Sequence, residues 1–82
     1  MKETIEKIKG IVAGTRSEEE VKRVLEEHRL FINNCYEEDR DAAVLAALLS
    51  TTTEDRIFDI LQENSVPLNM IEKVFGYLDQ LR

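Results

Sequence analysis

The sequence predicts an all-α fold: a compact bundle of about five short helices arranged as helical hairpins, which dimerisation could complete. Two observations carry that expectation. Apolar residues recur at spacings of three and four along most of the 82 positions, and no alternating stretch of useful strand length competes with them. Three Gly and one Pro also leave too few turn residues for the many hairpins of a β fold. With 43% hydrophobic and 34% charged residues, the chain is too apolar for disorder and too charged for a membrane span. One small globular domain over residues 1–82 is the expected organisation.

In the first helix Ile5, Ile8, Ile11 and Val12 form the apolar stripe, while Lys2, Glu3, Glu6, Lys7 and Lys9 fill the other positions. Gly10 weakens this helix by about 1 kcal/mol relative to Ala. Gly14 reads as a left-handed terminator, which places the end near Ala13. Ser17 followed by Glu20 matches a capping box, and Glu18, Glu19 and Glu20 set negative charge against the partial positive charge of unpaired N–H groups. The second helix therefore starts there. Its stripe runs Val21, Val24, Leu25, His28, Phe31 and Ile32 to a left-handed stop at Asn33-Asn34.

The third helix opens around Tyr36 to Asp39, where Glu37, Glu38, Asp39 and Asp41 load a first turn with carboxylates. Ala42 to Leu49 is apolar on every side, so this helix should be surrounded by its own domain or by a partner's. Its alanines at 42, 43, 46 and 47 end at the β-carbon and admit close neighbours. After the polar break Ser50-Thr51-Thr52-Thr53, Thr53 can cap a fourth helix whose expected buried face is Ile57, Phe58, Ile60 and Leu61. Asn64-Ser65 ends it. Pro67 fits the first turn of a fifth helix, where a missing N–H costs little, and Leu68, Ile71, Val74, Phe75, Leu78 and Leu81 follow at helical spacing.

The chemistry is read mainly by what the residues fail to assemble. His28 and Cys35 are the only members of their types, and they read as a partly buried histidine and a small buried thiol rather than a nucleophile pair. A Cys/His zinc site needs more ligands than one chain supplies. The acidic run at 37–41 lacks the glycine and the alternating ligand spacing of a calcium loop. No Gly-rich phosphate loop or hydrolase elbow is present, so neither catalysis nor a cofactor or metal is expected. A formal charge of −6 argues against direct nucleic-acid binding. Lys2, Lys9, Arg16 and Arg23 recur every seven residues, but neighbouring glutamates dilute that basic edge. The longest apolar run is eight residues where a spanning helix needs about 20, so no membrane insertion is expected. A single cysteine and an opening without a secretory apolar stretch point to the cytoplasm.

By elimination the expected function is non-enzymatic: a helical protein–protein interaction module, a small regulator or adaptor acting by self-association or by docking on a larger protein. A chain of this size buries only about 60–65% of its unfolded surface, so a homodimer is one expected form. The expected contact residues are Phe75, Tyr77, Leu78 and Leu81, with Met70 as an adaptable neighbour. The alternative is an acidic decoy or inhibitor of a nucleic-acid-binding protein, motivated by Glu18-Glu19-Glu20 and Glu37-Glu38-Asp39.

Overall fold

The apolar octet at 42–49 forms most of one helix, and the remaining elements are laid around it. In a computed structural model, which describes residues 2–81, the order is α1 (Lys2–Thr15), α2 (Glu18–Glu27), α3 (Arg29–Asn34), a 3-10 turn (Glu37–Asp39), α4 (Arg40–Leu49), α5 (Glu54–Glu63) and α6 (Leu68–Leu81). The described residues contain no strand. Helix α4 lies against α1, α2, α3, the 3-10 turn and, most extensively, α6. Its own chain therefore encloses it: Ala42, Ala43, Leu45, Ala46, Ala47, Leu48 and Leu49 are buried, and only Val44 of the octet is half-buried. The Cα radius of gyration, 11.4 Å, matches the roughly 11.7 Å expected of one packed unit of this length.

The core is apolar throughout. Ile5, Ile8 and Val12 from α1, Val21 from α2, Ile57, Ile60 and Leu61 from α5, and Ile71, Val74 and Leu78 from α6 join the buried residues of α4 in one core, and no polar or charged described residue is buried among them. At about 25 cal/mol per Å² of apolar surface removed from water, each fully buried Leu or Ile contributes about 1.5–3 kcal/mol.

Local signals account for three helix ends. Ser17 has extended backbone angles, and its hydroxyl accepts the Glu20 N–H at 3.1 Å. Helix α5 ends in a Schellman motif: the Val66 N–H reaches the Leu61 carbonyl, the Ser65 N–H reaches that of Gln62, and Ser65 takes the left-handed conformation at φ 60°. Val66 and Leu61, the pair that usually accompanies this motif, are both buried. The Pro67 carbonyl then accepts the first bonds of α6.

The structure corrects several expectations. The stripe expected to be one helix from Ser17 to Asn34 is two, because backbone angles at His28 (φ −103°, ψ 12°) leave the helical region between α2 and α3. There are consequently six α-helices among the described residues rather than five. Gly14 is not a left-handed terminator. Helix α1 continues to Thr15, and no described glycine has positive φ. Asn33-Asn34 is not left-handed either, since α3 ends on extended backbone at Cys35 (φ −75°, ψ 156°). Thr53 precedes α5 without a side-chain capping bond. Phe58, about 100° around the helix from Ile57, is 40% exposed, and Leu68 at the start of α6 is 65% exposed.

Candidate functional site

Helical geometry divides the expected contact residues of α6. Ile71, Val74 and Leu78 point into the core. Leu78 is 1% exposed, so it is a core residue and cannot offer a surface contact. Met70, Tyr77 and Leu81, at spacings of seven and four, share one flank of that stripe; Phe75 lies on the other. All four are half-buried and pack against the core.

Tyr77 is further committed by its polar end. Its hydroxyl donates to an Asp39 carboxylate oxygen at 2.8 Å, while Lys73, one turn earlier, donates to the other oxygen at 2.7 Å. The Tyr77 ring meets Phe31 edge-on, with centroids 5.7 Å apart and planes at 81°. Asp39 therefore is not part of a solvated acidic helix start, as its position in the run 37–41 suggests. Its side chain is 17% exposed and tied across to α6, and it makes no capping bond to α4.

Charge follows this geometry. The Lys73 ammonium, aided by the Tyr77 hydroxyl, holds the Asp39 carboxyl below the usual carboxylate value against the opposing effect of burial. Asp39 in turn raises Lys73. The hydrogen bond to Asp39, then burial, then the negative charge of Asp39 and the nearby Cys35 push Tyr77 up to about 12. Each group is thereby fixed in its ordinary charge state near neutrality, as in a structural clasp.

Each of the two singular residues is bonded to a carbonyl one helical turn back. His28 donates from Nδ1 to the Val24 carbonyl at 2.8 Å, and the Cys35 thiol donates to the Phe31 carbonyl at 3.2 Å. Among the described residues no three His, Cys, Asp or Glu side chains converge as metal ligands, and no helix is long and apolar enough to cross a membrane.

A concavity lies elsewhere, between α1 and α2. It is an open groove of about 350 Å³ with Gly10, Ala13, Val21 and Leu25 on its floor and Glu6, Lys9, Glu18 and Lys22 on its rims. In the sequence, Gly10 reads as a weak point in α1, and its spacing to Gly14 as a flexible helix end rather than a close helix-packing motif. The available signal was its cost: a mid-helix glycine needs a reason, and here a β-carbon at Gly10 would meet no atom within 4 Å. Packing within the chain supplies no such reason.

The chain matches no protein-family model, and neither curated proteins nor solved structures show a significant similarity to it.

Proposed function

We propose that this chain is a non-enzymatic helical protein–protein interaction module, a small regulator or adaptor that self-associates or docks on a larger protein, in a cytoplasmic setting. The α1–α2 groove carries the reading. It offers an apolar floor of half-buried Ala13 and Leu25 beside buried Val21, bordered by charges of both signs. This suits an amphipathic helix whose apolar side chains sit on the floor and whose polar side chains meet the rims. Half-buried Met70 and Leu81 on one flank of α6, and Phe75 on the other, offer smaller additional contacts.

Gly10→Leu tests the reading, because it fills the groove at a position where the added side chain has open space. Sedimentation equilibrium reads self-association, and affinity capture at low and high salt reads docking. The expected result is an association that Gly10→Leu abolishes, that high salt leaves intact, and that is lost without loss of helicity. A strict monomer at high micromolar concentration, with capture unchanged by Gly10→Leu, overturns it. Capture that collapses with salt and depends on Glu18, Glu19 and Glu20 favours the acidic decoy instead. That alternative has already lost Asp39, whose carboxylate is held by Lys73 and Tyr77.

A further inference from the structure

Residues 28–39 differ from the rest of the fold in how they are attached. None of these twelve residues is buried, whereas each of the other five helices buries at least one side chain. Helix α3 has six residues, far below the length at which a helix holds itself together in water. Both its ends are backbone breaks: non-helical angles at His28, and extended backbone at Cys35 (ψ 156°) and Tyr36 (ψ 145°). The hydrogen bonds of His28 and Cys35 run to carbonyls four residues back, and Arg29 pairs with Glu26 within one turn, so none of them ties the segment to a distant element.

The attachments that do reach the body converge on one turn of α6. Asp39 binds Lys73 and Tyr77, Phe31 packs edge-on against Tyr77, and Cys35 lies close enough to influence the Tyr77 hydroxyl. Beneath the segment is α4, against which both α3 and the 3-10 turn rest. We propose that residues 28–39 form a strap that opens from the side of α4 as one unit while the remaining helices stay folded, and that Tyr77 is its latch. The strap stands independently of the groove. Its opening uncovers the flank of α4 that α3 and the 3-10 turn cover.

Native-state hydrogen exchange tests this on the full chain, with alkylation of Cys35 by iodoacetamide as a second probe. In the wild type, the amides of Ile32, Cys35 and Asp39 should exchange faster than those of α4, with a weaker dependence on denaturant, as a sub-global opening requires. Tyr77→Phe, which removes one hydrogen bond and keeps the ring, should accelerate strap exchange about fivefold and raise the alkylation rate in step, leaving α1 and α5 unchanged. Strap amides that exchange only with global unfolding in the wild type overturn the proposal. So does a Tyr77→Phe chain whose amides all accelerate together or not at all. Should that variant fail to fold, the wild-type denaturant dependence decides alone.

Discussion

Replacing Gly10 and Gly76 by alanine should make the protein more stable, and the size of the gain can be worked from local geometry. Both glycines lie inside 14-residue helices, α1 and α6. Neither has positive φ, so alanine brings no backbone strain. A β-carbon at either position meets nothing within 4 Å, so no clash offsets the gain and little extra burial adds to it. What remains is the conformational freedom that glycine loses on folding, about 0.5–1 kcal/mol per site relative to alanine. The positions are on different helices, so the double variant should gain about 1–2 kcal/mol. For a domain of this size, 1 kcal/mol corresponds to about 4–8 °C in Tm, which gives a rise of roughly 4–16 °C. Thermal melts followed by circular dichroism, with urea titration as a check, measure it. A double variant melting at or below the wild-type temperature would refute the reasoning, since some unrecognised contact would then require the missing side chains.

The opposite exchange applies at Ser65: its φ of 60° is strained for a side chain, and Ser65→Gly should add about 0.5–1 kcal/mol in urea unfolding. Ser17→Ala removes the bond to the Glu20 N–H and should cost about 1 kcal/mol, whereas Thr53→Ala, with no capping bond to lose, should stay within about 0.5 kcal/mol; equal effects at the two caps would contradict this assignment. Leu45 is completely buried at the centre of α4, and Leu45→Ala should cost about 2–5 kcal/mol, enough to move the urea midpoint sharply. In a Tyr36→Phe background the tyrosinate absorbance reports Tyr77 alone; its midpoint should lie near 12, and Asp39→Asn should bring it back toward 10. Because Tyr77 keeps its proton in the fold after the unfolded chain has lost it, its contribution to stability is complete below pH 10 and disappears as pH rises toward 12. Asp39 acts at the other end: its lowered value contributes stability above about pH 3.8, which is lost on further acidification.

Helical periodicity made much of this fold legible, because it records which face of each helix leaves water. Of the stripes Ile5, Ile8, Ile11, Val12 and Ile57, Phe58, Ile60, Leu61, all but half-buried Ile11 and exposed Phe58 are buried as their spacing implies, and the all-round apolar character of residues 42–49 marked the helix that others surround. The break at His28 was not legible. Val21, Val24, Leu25, His28, Phe31 and Ile32 keep an unbroken period, and a period does not register a change of direction between two short helices sharing one apolar side. Gly14 misled for a related reason: glycine permits a left-handed end without requiring one, and the chain reaches Thr15 before stopping. The clasp lay beyond local reading altogether. Asp39 sits in a first-turn acidic run, while the partners that redirect it are 34 and 38 residues away.

The enclosure of α4 changes where an interaction must occur. The sequence placed an apolar excess in residues 42–49 and in the last helix, yet seven of that octet are buried within the chain, and Leu78 turns inward with Ile71 and Val74. A partner therefore cannot use the central helix without unfolding part of the bundle. The apolar surface still open to a rigid partner lies on helix flanks and along the α1–α2 groove, whose floor combines Gly10 and Ala13 with Val21 and Leu25. Stability and contact thus rest on largely different residues. That separation gives Gly10 variants their force: a substitution that closes the groove should strengthen α1, so a loss of association accompanied by a higher Tm belongs to the contact surface and not to a damaged fold.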